Sequence, residues 1–133
     1  MLKFRCLLIP YIILIYACGA GTNDPIIGKW QVVKEVNKIK DTKIDTTTVK
    51  ISDFTYDLFN FKTAKNLEIT TNTTKLSYDY SVNDNVLQFM GNGKTIHYGI
   101  QKVDQDSLVL YREENWANTI RISSTLYFKK IEQ

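Results

Sequence analysis

The chain has 133 residues, of which 17 are Lys or Arg and 14 are Asp or Glu, giving a formal net charge of +3. The basic residues are spread along the chain and form no clustered basic face of the kind that a phosphate backbone requires, so nucleic acid is not expected as a partner. The chain contains two cysteines, Cys6 and Cys18, and one histidine, His97, with only scattered carboxylates. This composition predicts neither a metal site nor a cofactor.

The first 17 residues have the composition of an export signal. Residues 1–5 are short and basic, and residues 6–17 are apolar apart from the break at Pro10, which is too short for a spanning helix of ~20 residues. The run ends in Ile15-Tyr16-Ala17-Cys18, which resembles the lipobox of bacterial lipoproteins. The resemblance implies that residues 1–17 are removed and that Cys18 becomes the lipidated first residue. An ordinary cleaved signal with an incidental cysteine is the alternative.

Removal of the signal changes the meaning of the charge and of the cysteines. Without Lys3 and Arg5 the balance is 15 basic against 14 acidic residues, so the basic character belongs mostly to the signal. With Cys6 discarded and Cys18 alkylated no thiol remains for a disulfide, and the core must hold the exported domain together unaided. Residues 18–25 are expected to form the lipidated cysteine and a flexible tether. The resemblance places the protein on a bacterial outer membrane, with the periplasmic or surface face left open.

Residues 26–133 are predicted to form one all-β domain. Ile, Val, Leu, Tyr and Phe dominate its apolar residues, and no window keeps a helical period for long. Clean alternation along residues 76–82, with Leu76, Tyr78, Tyr80 and Val82 on one face, indicates a strand with one buried side. Eight strands are expected, over residues 28–36, 54–61, 67–70, 76–82, 86–90, 94–103, 107–111 and 119–131.

The predicted connections separate into long polar ones and tight turns. Residues 37–53 and 112–118 are assigned as long loops, whereas the Asx-rich turn at 83–85 and the turn at 104–106 are short. About eight strands joined in this way predict an antiparallel up-and-down barrel that closes on itself. If the first strand starts at the closed end, the long connections surround the opposite, open end.

The first predicted strand opens with Gly28-Lys29-Trp30, which resembles the Gly-x-Trp signature of the lipocalin and calycin superfamily. The strand spacing resembles that of small lipocalin-like lipoproteins of Gram-negative bacteria. In lipocalins an Arg near the end of the last strand covers this Trp, and here Lys129-Lys130 stands at that place, so a Lys is expected to supply the cation over the indole of Trp30. The resemblance implies a barrel that binds a small apolar ligand in its interior.

Four aromatic residues are the candidate ligand contacts. Tyr78, Tyr80 and Tyr98 are expected inside the barrel, where they either line a cavity or fill a solid core, and Trp116 is expected at the mouth. A barrel of about eight strands permits both, because its interior is only just wide enough for side chains to fill. The alternative function is therefore a solid-cored structural or interaction module that contacts another envelope protein. No catalytic constellation is visible around His97, and an enzyme is not predicted.

Overall fold

The computed structural model describes residues 25–52 and 57–131, and this part of the chain is entirely antiparallel β structure. The predicted signal (residues 1–17), Cys18 and most of the tether lie outside the described residues. The described part contains no helix that is long and apolar enough to cross a membrane. The strands are β1 Gly28–Asp41, β2 Thr46–Ser52, β3 Leu58–Phe61, β4 Asn66–Thr70, β5 Lys75–Asn83, β6 Val86–Gly91, β7 Lys94–Val103, β8 Ser107–Ala117 and β9 Ile120–Ile131.

Eight of these strands close into a barrel, as the sequence predicts, and β2 is an additional strand. The order in the sheet is β2-β1-β3-β4-β5-β6-β7-β8-β9, and a further pairing of β1 with β9 joins its ends. At one end of the barrel Gly28 lies opposite Phe61, and Lys29 lies opposite Ile131. This is the closed end, and the architecture is compatible with a lipocalin-like fold.

A β-bulge at Val33 divides β1 into two halves that face the interior with different residues. Below the bulge Val32 pairs with the core residue Phe128, whereas directly above it Lys34 pairs with Tyr127. Because side chains alternate along a strand, one extra residue exchanges the inward and outward sets. Trp30 and Val32 therefore point inward in the lower half, and Glu35 and later odd-numbered residues do so in the upper half.

The upper half of β1 belongs to a four-stranded extension of the barrel wall, here called the arm. It consists of β2 and of residues 34–41, 112–117 and 120–126 of β1, β8 and β9, which pair in the order β2-β1-β9-β8. At its tip the two hairpin turns are joined by a hydrogen bond from the Thr42 amide to the Thr119 carbonyl, 2.8 Å long. Eight residues at about 3.3 Å each make the arm roughly 26 Å long.

The arm corrects two sequence assignments. Residues 37–53 were expected to be one long loop, but β1 continues to Asp41 and β2 begins at Thr46, so the connection between them is residues 42–45. Residues 112–118 were expected to link two strands, but β8 runs to Ala117 and the link is residues 118–119. Polar, solvent-exposed strands lack the apolar alternation that identifies a half-buried strand, which is the physical reason for both errors.

The interior of the barrel below the arm is packed with aromatic and aliphatic side chains. Phe59 stacks edge-on against Phe128 with 5.0 Å between ring centroids, and Phe61 does the same with Tyr80 at 5.1 Å. The Tyr80 hydroxyl donates a 2.6 Å hydrogen bond to the Thr63 carbonyl, so its polar atom is satisfied within the protein. The buried apolar residues are Ile26, Trp30, Val32, Phe59, Phe61, Leu67, Tyr80, Leu87, Phe89, Leu108, Leu110 and Phe128.

Trp30 plugs the closed end of this core, as its position in the sequence predicts. Its side chain is fully buried, and its indole N–H donates a 2.7 Å hydrogen bond to the Ile26 carbonyl. The Lys130 ammonium lies 5.0 Å from the centre of the indole, so a Lys does supply the expected cation. A Cβ on Gly28 would lie 2.7 Å from Cε of Lys130, which shows how closely the lysine stem crosses the start of β1.

Candidate functional site

A cleft opens at the mouth of the barrel, where the arm leaves the wall. Pairing between β7 and β8 ends at Gly99 and Tyr111, so the strands separate above this point. The opening has a volume of about 230 Å³ and is lined by Glu35, Asn37, Tyr98, Arg112, Glu114, Ile122 and Ser124. We call it the mouth cleft.

The register of the arm explains why these side chains share one face. Asn37 and Arg112 both lie opposite Ser124, one strand to each side of it, and Glu114 lies opposite Ile122. Residues paired across antiparallel strands project to the same side of the sheet. Two residues further down β8 and β9, the core residues Leu110 and Leu126 occupy this face, so the mouth cleft is the upward continuation of the barrel interior.

Charged groups of both signs meet in the mouth cleft. The Ser124 hydroxyl donates a 3.2 Å hydrogen bond to Oε1 of Glu35. The Arg112 guanidinium forms an ion pair with Glu114 and lies over the Tyr98 ring, 5.9 Å from its centre. The Glu114 side chain is 55% exposed, and an exposed ion pair contributes only about 0 to 1 kcal/mol, so Arg112 can exchange this partner for another anion at small cost.

Burial and neighbouring charges shift the pKa values of two ionisable groups at the cleft, Asp57 and Tyr98. Partial burial, and secondly the negative charge of Glu35, raise the pKa of the Asp57 carboxyl above its usual value. Burial also raises the pKa of the Tyr98 phenol, although the nearby Arg112 guanidinium opposes that shift. Glu35 is the acidic group of β1 that lines the mouth cleft, with Asp57 close enough for the two charges to interact, and Arg112 is the basic group of the cleft.

The chemistry of the mouth cleft suits a small polar molecule that carries charge. Clefts for drug-sized ligands measure roughly 300 to 1,000 Å³ and are mostly apolar. The mouth cleft is smaller and polar, with acceptors on Glu35 and donors on Arg112 and Asn37. A compact ligand with an amino group and an acidic group would satisfy both sides at once.

The four predicted ligand contacts occupy three different environments. Tyr98 lines the mouth cleft and stacks on Phe89, whose other side meets Tyr78 at 5.2 Å. Tyr80 is buried in the core, and Tyr78 packs against the core from its edge. Trp116 is 74% exposed on β8 and does not line the mouth cleft. A ligand role for each of these residues stays a prediction.

Glu35, Asn37, Arg112 and Ser124 were not among the predicted site residues. Two of the three strands that carry them, β1 and β8, were predicted only in part, and the sequence around Val33 contains no residue type that marks a bulge. Without the bulge, alternation from Trp30 would place Glu35 and Asn37 outside the barrel. The only signal for this site in the sequence was the presence of Arg112 and Glu114 in a segment predicted to be a loop. Charged residues in loops are ordinarily solvated, so this signal is weak.

A second, larger depression lies on the outside of the closed end. Its volume is about 930 Å³, and it is lined by residues from both ends of the described chain, including Lys29, Lys129 and Ile131. This depression lies on the outer side of the barrel wall, whereas the mouth cleft continues the barrel interior. The mouth cleft is therefore the better defined candidate.

His97 and the carboxylates do not converge on a metal site in the described structure. His97 is exposed and lies opposite Gln88, on the strand face opposite to Tyr98. Within residues 25–52 and 57–131, no group of three or more His, Cys, Asp or Glu side chains is arranged to hold a metal ion. Ser124 lies in the mouth cleft, where its hydroxyl is bonded to Glu35.

Comparison with known proteins adds no family to this description: no family model matches the chain, and no curated protein matches it. What it shares with lipocalin-like proteins is the closed, antiparallel eight-stranded barrel.

Proposed function

We propose that this chain is a lipid-anchored envelope protein that binds a small molecule at the mouth of its barrel. The observation that carries the proposal is the mouth cleft, where Glu35 of β1 and Arg112 of β8 face one opening from either side of β9. The ligand class that fits is a small zwitterion, with its cationic group at Glu35 and Asp57 and its anionic group at Arg112.

The packing of the barrel supports a ligand at the mouth over one deep inside. Phe59, Phe61 and Phe89 occupy the interior below the mouth cleft, and each is about 5% exposed or less. An apolar ligand at the barrel centre, as the resemblance to lipocalins implies, would have to displace several of these rings. Loss of one core aromatic side chain costs about 3 to 5 kcal/mol, so such a ligand would need an unusually large affinity.

Thermal-shift titration of the full chain, purified in detergent, tests the ligand class. The probes are α-amino acids, simple amines and fatty acids. We expect an amino acid to raise the melting temperature, and we expect Arg112→Gln to weaken its binding about tenfold or more, since a hydrogen bond to a charged group contributes about 1.5 to 3 kcal/mol. Arg121→Gln is the matched control, because Arg121 lies opposite Asn115 on the other face of the arm. A response to fatty acids that Arg112→Gln leaves unchanged would contradict the proposal.

Attachment to the membrane is a separate part of the proposal and rests on the lipobox-like residues 15–18. We expect Cys18→Ser to move the protein from the membrane fraction to the soluble fraction, because the acyl chains have no other attachment point. Cys6→Ser is the matched control, since Cys6 belongs to the predicted signal and should leave anchoring intact. Fractionation of cells expressing each variant measures the outcome. Membrane attachment of the Cys18→Ser variant that detergent still releases would show that the anchor lies elsewhere.

A second candidate function is protein interaction through the arm. The arm exposes large apolar side chains on both faces, Ile39 on the inward one and Val49 and Ile51 on the outward one. A photo-crosslinker at Ile39, with Met90 on the exposed surface of β6 as the control position, tests this alternative in intact envelopes. Adducts at Ile39 alone, together with no response to any small-molecule probe, would favour the interaction module.

A further inference from the structure

The outer edge of β2 is one of the two edges of the arm, the other being β8 above Tyr111. In the described part of the chain β2 pairs with β1 alone and ends the sheet order. Val49 and Ile51 on this strand are 51% and 55% exposed. The row of main-chain N–H and C=O groups along such an edge is a template for another strand.

This edge lacks the features that usually prevent strand addition. Five of the seven residues in Thr46–Ser52 are β-branched, which favours extended structure, and the strand contains no proline. Its pairing with β1 runs without a register shift, so no bulge turns the edge away. Lys50 is the only charged residue on the strand. A long, regular and nearly uncharged edge is expected to be paired in the assembled protein.

We propose that β2 pairs with β2 of a second copy of this chain, antiparallel and with a two-fold axis at Val49. The axis makes the interface isologous, so each residue meets a partner of the same strand. On the outward face Val49 meets Val49 of the other copy, and Thr47 meets Ile51. On the inward face Thr48 meets Lys50, and Thr46 meets Ser52. Each pair joins apolar or hydroxyl-bearing side chains, except that Lys50 faces Thr48. No two like charges therefore lie directly opposite each other.

The alternative two-fold registers are less favourable. Residues directly opposite each other must lie on the same face of the continuous sheet, so the two-fold axis passes through a residue of β2 and not between two residues. The nearest alternatives to Val49 are therefore its two neighbours, Lys50 and Thr48. An axis at Lys50 places the two lysines directly opposite each other, which is destabilising. An axis at Thr48 pairs only residues 46–50 and sets Asp45 of the turn against Ile51. The axis at Val49 pairs all seven residues of β2 without either conflict.

The nearest like charges in this dimer are the two copies of Lys50, which are diagonal neighbours about 7 to 8 Å apart and whose exposed side chains can turn away from each other. Lys38 lies opposite Val49 on the outward face, so the two copies of Lys38 are three strand spacings apart in the joined sheet. Three spacings of about 4.8 Å give a separation of about 14 Å. This exceeds the Debye length of about 8 Å at physiological ionic strength, so the repulsion between them is largely screened. The result is an eight-stranded sheet made of two arms, and it is independent of any ligand at the mouth cleft.

Single cysteines in the full chain test the pairing and its register. Val49→Cys places two thiols on the two-fold axis, with Cβ atoms about 4.5 to 5.5 Å apart, and small adjustments bring them within disulfide reach. We expect a covalent dimer on a non-reducing gel after mild oxidation. Met90→Cys is the control, because Met90 is more exposed than Val49 and lies on β6, away from the axis. The unmodified chain shows any contribution of Cys6 or Cys18.

The proposed register also distinguishes specific pairing of two β2 strands from disulfides that form by random collision between chains. Thr47→Cys alone and Ile51→Cys alone should form no disulfide-linked dimer on the non-reducing gel, because each residue is offset from its own copy by four residues, about 13 Å. Mixing the two variants should give a disulfide dimer. Val49→Lys should abolish dimers of the unlinked protein in analytical ultracentrifugation without changing its near-UV circular dichroism. Equal cross-linking at Val49→Cys and Met90→Cys, or a dimer that survives Val49→Lys, would overturn the proposal.

Discussion

Within residues 25–52 and 57–131, Asp57 is the carboxylate whose ionisation the fold disfavours most clearly. Its main-chain carbonyl accepts a 3.0 Å hydrogen bond from the Val32 amide, which holds the residue beside the bulge in β1. Its pKa lies above the ordinary value of 3.8, first because of burial and second because of Glu35. The folded protein therefore binds this proton more tightly than the unfolded chain does. Stability from this group is full below pH 3.8 and is lost as the pH rises through the raised pKa.

We therefore expect Asp57→Asn to raise the melting temperature at pH 7 and to change it little at pH 3. The amide keeps the shape of the side chain and removes the cost of a partly buried negative charge near Glu35. Thermal unfolding followed by circular dichroism at both pH values measures the effect. Asp79→Asn, at an exposed position on β5, is the control. A lower melting temperature at pH 7 would show that ionised Asp57 has a stabilising partner.

The contact between Trp30 and Lys130 was the residue-scale feature most accessible from the sequence. The Gly-x-Trp resemblance indicated a cation at the end of the last strand, and either Lys129 or Lys130 could have filled the place. Alternation settles the choice, because Phe128 faces the core and the residue two positions later shares that face. Lys129 consequently lies on the outside.

At the scale of elements, strands with one buried side were predicted more completely than strands that are exposed on both sides. The inward positions of β5 and β7 alternate with polar residues, and both strands were predicted nearly in full. In β2 no residue is buried, and its six residues Thr46–Ile51 are all exposed. Such a strand is held by main-chain hydrogen bonds to β1 and by cross-strand pairs of β-branched side chains, which leave no hydrophobic period to detect.

The start of β1 depends on a glycine for its backbone conformation. Gly28 has a φ of 132°, which L side chains rarely adopt, and an added Cβ would meet Cε of Lys130. We expect Gly28→Ala to lower the free energy of unfolding by about 1 to 3 kcal/mol, as for other strained backbone positions. Chemical denaturation measures this loss.

Gly99→Ala is the matched control for that substitution. A Cβ at Gly99 would lie 3.7 Å from the Tyr111 carbonyl oxygen, which is an ordinary contact. We expect its effect to stay within about 0.5 kcal/mol. Equal effects of the two substitutions would mean that neither the backbone conformation nor Lys130 restricts Gly28.

At the scale of the whole molecule, the closure of the barrel could be predicted from the sequence, whereas most of the mouth cleft could not. Hairpin connections and an unbroken succession of strands leave few arrangements other than a barrel, and the pairing of β1 with β9 confirms it. The mouth cleft depends on the bulge at Val33 and on the separation of β7 from β8, which are tertiary features without a local pattern. Tyr98 was among the candidates because it lies on β7, a strand whose alternation is regular. Arg112 lies in a segment predicted to be a loop, and Glu35 lies just beyond the bulge in β1.

The continuity of β1 from the closed end to the tip of the arm also determines how the molecule carries load. The predicted tether enters at the base of β1, and anything bound to the arm pulls on the top of the same strand. In the anchored protein proposed above, tension between the membrane and a partner at the arm would run along β1, whose twelve register pairs with β9 lie side by side along that line. Because antiparallel hydrogen bonds are perpendicular to the strands, they are sheared together instead of opening one after another. Such a joint resists pulling in that direction and yields more readily to force applied between its two chain ends.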